Sequence, residues 1–194
     1  MSTFTAIIDA NVLFRASVRD TLLRAHRAGM FRAQWTPDIL VEVERNLIPH
    51  LAKRGHKKPE AQAQRLMTAL RTLFPEAMVV GYEGLIPSME NDEKDRHVLA
   101  AAVKGGAEVI VTYNLKDFPA PALDPYGIEV QGPDEFLANL FDLYPDGMCA
   151  LLHEQAVQLQ NPPLAFMAVL DELEETLPEF IRMVRDHVSR NMEC

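Results

Sequence analysis

The sequence predicts an α/β protein with a small parallel sheet, and three observations carry that expectation. Residues 4–8, Phe-Thr-Ala-Ile-Ile, form a short β-type run that stops at Asp9 and gives way to helical periodicity. A helix starting near Asp92 ends at Gly105-Gly106 and leads directly into Val109-Ile110-Val111, the αβ half of a βαβ unit. Neither strand run alternates apolar with polar residues, as expected of strands covered on both faces.

The elements follow in order. After the first strand, residues 11–28 read as a helix ended by Gly29. Thr36-Pro37 supplies an N-cap and a first-turn proline for a helix to about Leu47, with Pro49 closing it. A basic loop, Lys53-Arg54-Gly55-His56-Lys57-Lys58-Pro59, precedes a third helix over 59–74, and Met78-Val79-Val80 reads as a short strand. The helix from Asp92 presents Val98, Leu99, Ala102 and Val103 to a core, residues 108–112 form a buried strand, and Ile128-Glu129-Val130 a further short one. From Pro133 onward strand signals cease, and 133–143, 146–159, 164–177 and 179–190 read as helices separated by proline-containing joints. The expected organisation is one domain over residues 1–132 and an acidic helical extension over 133–194.

A chain of 194 residues with 48% apolar and 24% charged content can bury one sizeable core, which excludes a disordered tail protein and a disulfide-stapled mini-domain. The formal charge of -9 argues against a generic polyanion binder, yet it is unevenly spread. Residues 1–75 hold 12 Lys/Arg against 6 Asp/Glu, net +6, while 76–194 hold 7 against 22, net -15. Cys149 and Cys194 form no C-x-x-C pair and read as free thiols. The N-terminal segment lacks a basic n-region and reaches an aspartate at position 9, and no apolar run approaches a membrane span, so a soluble, cytoplasmic protein without membrane contact is expected.

The chemistry indicated is acidic. Ligands of open parallel sheets bind at the carboxyl ends of strands. Asp9 follows the first strand, while Asn114 and Asp117 follow the strand at 109–112, so these oxygen-bearing side chains converge if the two strands are neighbours. Asp92 and Asp95 begin the next helix nearby. Clustered carboxylates suit a hard cation such as Mg2+ or Mn2+. There is no His/Cys spacing for zinc, no phosphate-binding glycine loop and no nucleophile elbow. Structural roles compete at each position: Asp9 and Asp117 suit turns, and Asp95 suits a helix start. Glu42 and Glu44 flank the apolar stripe of the Thr36 helix at similar angles, so periodicity does not choose between them. His97, two residues after Asp95, is turned about 200° from it around a helix, which argues against a shared ion. Trp35 could stack on a base or pack internally, and packing is the default.

Three ordered stretches, IIDANVLF at 7–14, TPDILVEVERNL at 36–47 and DEKDRHVLAAAVKGGAEVIVTYNLKDFP at 92–119, together resemble a PIN domain of the kind found in VapC toxins of bacterial toxin–antitoxin pairs. The resemblance covers roughly residues 4–130. It implies a three-layer α/β/α fold with a small parallel sheet, and a Mg2+- or Mn2+-dependent endoribonuclease whose acids are Asp9, Glu42, Asp95 and Asp117, with Asn11, Thr112 and Asn114 in support. Many PIN domains carry an aspartate directly after the strand and its threonine; here Tyr113-Asn114 stands there, so Asp117 becomes the fourth acid. RNA would be gripped by Lys53, Arg54, Lys57, Lys58 and Arg15. The partners implied are RNA and a cognate antitoxin; a second copy of the chain is a further candidate for the apolar positions Leu173, Leu177, Phe180, Ile181 and Val184, although packing within the chain comes first. Two rival readings are a phosphohydrolase with nucleophilic Asp9, of the haloacid-dehalogenase kind, and a catalytically silent PIN-like module binding RNA or protein. The former usually has a second aspartate two residues on, where this chain has Asn11.

Overall fold

The computed structural model describes residues 3–158 and 165–192. β1 (Thr5–Ile8) leads into the single-turn α1 (Ala10–Leu13), then α2 (Ala16–Arg27), β2 (Arg32–Gln34), α3 (Pro37–Lys53) and α4 (Pro59–Leu73). Three 3-10 turns, Pro75–Ala77, Glu83–Ser88 and Glu93–Asp95, connect to α5 (Arg96–Gly105) and β3 (Val109–Val111). A turn at Leu115–Asp117, α6 (Ala120–Leu123), a turn at Asp124–Tyr126 and β4 (Glu129–Gln131) follow. The chain continues through α7 (Pro133–Leu143), α8 (Pro145–Gln158), α9 (Phe166–Glu174) and α10 (Pro178–Met192).

These elements form two compact units. The first takes the residues up to Phe14 and Arg32–Gln131; the second takes Arg15–Phe31 and the described residues from Gly132 onward. The chain therefore changes unit not only near residue 132 but also on either side of α2.

The first unit is built on a parallel sheet in the order β2-β1-β3-β4. Ile7 lies opposite Gln34 on one side and Ile110 on the other, and every residue of β1 and β3 is buried. That double-sided burial is the physical reason for their unbroken apolar runs. α5 packs on both central strands, and its Val98, Leu99 and Ala102 are fully buried. It ends at Gly106, whose φ of 63° is the left-handed cap that favours glycine. Gly105 has a different reason: a Cβ there would collide with the Gln34 amide oxygen.

Four local expectations are corrected. The helix expected over 11–28 is two helices, broken where Arg15 is extended (φ -81°, ψ 112°). β2 was not expected at all; it is short and polar, with only Ala33 fully inward, and leaves no apolar run to read. Met78 makes one isolated bridge to Trp35 rather than a strand. Pro49 lies inside α3, which continues to Lys53. Proline removes one helical hydrogen bond, but Leu47 and Leu51 on either side of it pack against Ala63 of α4 and hold the last turns in place.

The second unit is helical. α2 packs with α8 and α9, and α7 with α10. Its core includes Phe136, Leu152, Leu170, Leu173, Leu177, Phe180, Ile181 and Val184, so the apolar positions of the tail are covered by the chain itself. A buried bond from Thr21 Oγ1 to Gln155 Oε1 (3.0 Å) fixes α2 on α8. The Asp134 carboxylate accepts from Glu179 N (3.1 Å) and Phe180 N (2.9 Å), capping α10 from a neighbouring helix. Cys149 is a free thiol, and Cys194 lies outside the described residues. Among the described residues no helix is long and apolar enough to cross a membrane.

Candidate active site

Because β1 and β3 are neighbours, their carboxyl ends place Asp9 and Thr112 side by side. The Asp9 N–H donates to Val111 O (3.0 Å) and the Thr112 N–H to Gln131 O (3.0 Å), so both residues continue the sheet by one step. Asp9 is extended and caps α1, its Oδ1 accepting from Ala10 N at 2.6 Å.

A closed hydrogen-bond ring surrounds the other carboxylate oxygen. Thr112 Oγ1 donates to Asp9 Oδ2 (2.6 Å) and accepts from Asn11 Nδ2 (2.9 Å) and the Asn114 N–H (3.0 Å). Asn11 Nδ2 also donates to Asp9 Oδ2 (2.7 Å), while Asn11 Oδ1 accepts from the Tyr113 N–H (3.1 Å). This assigns the single hydroxyl proton of Thr112 to Asp9 and fixes the amide orientation of Asn11. Asp9 and Thr112 are 3% and 0% exposed. Burial raises the Asp9 pKa; the Thr112 and Ala10 hydrogen bonds, the nearby His97 and the Asn11 amide offset part of that rise.

Asp95 ends the 3-10 turn before α5. Burial first, then the charges of Asp9 and Asp117, push its carboxyl up to about 6, against the opposing influence of His97 and Lys94. Asp117 lies in the turn after β3, and its carbonyl accepts the Asp92 N–H (3.1 Å), stitching together the two turns that carry Asp95 and Asp117. Glu42 enters from α3: its Oε1 lies 3.7 Å from His97 Nε2. α3 is itself packed against α1, the helix that Asp9 caps. Lys94 is exposed, 3.5 Å from Asp92 Oδ1, and its pKa is raised by Asp92 and Asp117.

The geometry thus joins Asp9, Asn11, Thr112 and the Asn114 backbone directly, and links Asp95, Asp117 and Glu42 to them electrostatically or through His97. Glu42, rather than Glu44, meets the histidine. Lys53, Arg54, Lys57 and Lys58 are exposed at the end of α3 and in the loop to α4, whereas Arg15 belongs to the other unit from the acids. Trp35 is fully buried, edge-on to Phe74 at 5.9 Å, which removes it as a base-stacking platform. His97 is the residue sequence reasoning missed. The angular argument concerned only an ion shared with Asp95; what it did not reach is the approach of Nε2 to Glu42 on another helix.

The donor chemistry fits a hard divalent ion: carboxylates, a hydroxyl and amide oxygens, with Asp9 and Asp117 near enough for their charges to add to the burial that raises the Asp95 pKa. Among the described residues no three His, Cys, Asp or Glu side chains already meet at coordinating distance. A groove of about 340 Å3 in the second unit, lined by Phe141, Arg182 and His187 among others, contains none of these acids, and its Arg182 and His187 are already paired with Asp186 and Asp146.

The "VapC50 C-terminal domain" family matches residues 133–186. A protein of Mycobacterium tuberculosis named "Putative ribonuclease VapC50" is 46% identical over 109 residues, which is 56% of this chain and 64% of that protein. No solved structure matches. The PIN domain family matches residues 5–116, well over half of the chain and the whole stretch from β1 to the turn after β3. The chain belongs to the PIN domain family.

Proposed function

We propose that the chain is a Mg2+- or Mn2+-dependent endoribonuclease, with Asp9, Glu42, Asp95 and Asp117 as the acids of its active site. The observation that carries this reading is Asp95: a carboxyl pushed up to about 6 by burial and by two neighbouring acids marks charges gathered against their mutual repulsion. The name of the M. tuberculosis relative supports ribonuclease chemistry.

In this reading Asp9 and Asp95 bind the ion, and Glu42 and Asp117 complete the site directly or through water. The bound ion supplies an activated water and stabilises the charge that develops on the scissile phosphate. The protein's own contribution is orientation. Thr112 and Asn11 hold Asp9 Oδ2 in one position with two donors, which favours the ionised form that a cation requires. With its carboxyl pushed up to about 6, Asp95 would give up its proton on holding the ion. The exposed cations Lys53, Arg54, Lys57 and Lys58 offer RNA phosphate a sequence-independent grip, with Arg15 a further candidate.

The same reading makes the protein the cytoplasmic toxin of a toxin–antitoxin pair, restrained by a cognate antitoxin. Self-association is a second candidate interaction. Residues 1–132 are taken as the nuclease domain and 133–194 as its extension, with α2 lending a helix to the unit that the extension forms. Mapping cleavage sites in total RNA after induction tests the proposal. Wild type gives discrete new 5′ ends and Asp95→Asn gives none; the same ends from both proteins would refute it.

A further inference from the structure

Four ionised carboxylates and one divalent ion leave a net charge of about -2, so an RNA phosphate that reaches the ion needs a further cation close by. The basic segment that starts at Lys53 does not supply it. Lys53 ends α3 eleven residues beyond Glu42, about 16 Å along the helix at 1.5 Å per residue. Lys94 stands at the site itself. It precedes Asp95 in the 3-10 turn Glu93–Asp95, where the Asp95 N–H donates to the Asp92 carbonyl (2.9 Å) and the Asp92 N–H to the Asp117 carbonyl (3.1 Å). Successive residues of this turn divide between inside and outside: Asp95 is half-buried, while the Lys94 side chain is 77% exposed. Asp92 Oδ1 accepts from the Lys94 N–H (3.1 Å) and lies 3.5 Å from its Nζ, which keeps the ammonium at the rim of the acids. An exposed pair of this kind is weak and readily exchanged for another anion. The charge of Lys94 acts on Asp95, and those of Asp92, Asp117 and Asp95 act on Lys94.

We propose that Lys94 is the substrate-binding cation of the acidic site: its ammonium leaves Asp92 and pairs with a phosphate oxygen of the RNA strand seated on the acids. The proposal rests on the reading of these acids as a nuclease site, and adds the residue that lets a polyanion approach them. It also divides the cations by task. Lys53, Arg54, Lys57 and Lys58 grip the strand at a distance, whereas Lys94 contacts phosphate beside the ion. Lys116 provides a control for charge alone: it precedes Asp117 in the turn Leu115–Asp117 and is also exposed.

The test is cleavage in Mn2+ of a synthetic RNA spanning a mapped cleavage site, together with Mn2+ affinity by electron paramagnetic resonance. Both are measured on the full chain as wild type, Lys94→Gln, Lys94→Arg and Lys116→Gln. Loss of one charge-assisted hydrogen bond should raise KM about tenfold or more in Lys94→Gln, with kcat within about threefold of wild type. Lys94→Arg should recover most of that loss, and Lys116→Gln should change KM by less than about threefold. Mn2+ should bind Lys94→Gln at least as tightly as wild type, because a cation beside the acids has been removed. An unchanged KM in Lys94→Gln, or an equal rise in Lys116→Gln, would overturn the proposal while leaving the nuclease site standing. Weaker Mn2+ binding by Lys94→Gln would overturn it too, by showing that Lys94 holds the acids in place rather than RNA. A wild type that cleaves no RNA in Mn2+ would overturn the nuclease reading, and this proposal with it.

Discussion

Replacing Asp95 by asparagine should stabilise the metal-free protein while abolishing its function. Asn is close in shape to the protonated carboxyl, so the substitution removes a charge that the fold opposes. The rise of the Asp95 pKa from 3.8 to about 6 corresponds, at about 1.36 kcal/mol per pH unit, to a ceiling of roughly 3 kcal/mol against the ionised form. Asp95 is only half-buried, and solvent screening lowers the expected gain to about 1–2 kcal/mol. The sign follows from linkage. Below pH 3.8 the carboxyl is protonated in both folded and unfolded chains, and the two proteins differ little. As pH rises from 3.8 to about 6 the unfolded chain releases its proton first, the wild type loses stability, and the gap is complete above about pH 6. Urea denaturation in EDTA at pH 4 and pH 7.5 measures it: a small difference at the lower pH, and Asp95→Asn more stable by about 1–2 kcal/mol at the higher. Added Mn2+ should then raise the wild-type midpoint and leave the variant's unchanged. A variant that is less stable at pH 7.5, or shifted equally at both pH values, would refute the argument.

Other substitutions probe the remaining parts. Thr112→Val keeps the shape of a fully buried side chain but deprives Asp9 of a donor and the Asn11 amide and Asn114 N–H of an acceptor. It should cost about 1–3 kcal/mol in urea denaturation, with Thr112→Ser recovering most of the loss. Replacing Lys53, Arg54, Lys57 and Lys58 together by alanine should weaken binding to single-stranded RNA and flatten its salt dependence. Removal of four phosphate contacts would reduce the slope of log K against log salt by about 3, measured in an Asp9→Asn background and in EDTA so that no cleavage is expected.

The fold was most legible where burial left its mark on the local sequence. β1 and β3 are unbroken apolar runs because both their faces are covered, and their adjacency brings Asp9 to Thr112. The capping signals of Thr36-Pro37 and Gly106 mark α3 and α5 because each satisfies local backbone geometry. β2 left no such mark: three residues with only Ala33 fully buried carry too little pattern, and Gln34 meets Gly105 from 71 positions away. The membership of α2 in the second unit is likewise non-local, decided by packing on α8 and α9. Within the site, Asp9 stood out through its place at a strand end. Glu42 did not separate from Glu44 by periodicity, because what distinguishes it is a histidine on another helix. His97 was set aside because the helical-phase argument weighed it only against Asp95, whereas its approach to Glu42 on α3 is non-local. The overall charge of -9 was misleading in the same way, since it averages a basic first 75 residues with an acidic remainder.

The central claim is that the carboxylates gathered around Asp9 hold a divalent ion that cleaves RNA. Single-turnover cleavage of a defined RNA by the purified, partner-free chain tests it most directly, comparing wild type with Asp9→Asn in Mn2+ and in EDTA. The account predicts endonucleolytic cleavage by wild type in Mn2+, none in EDTA, and a rate lowered by at least about 100-fold in Asp9→Asn, the scale expected when electrostatic stabilisation of a transition state is removed. Equal rates for the two proteins, or cleavage by wild type that persists undiminished in EDTA, would contradict it.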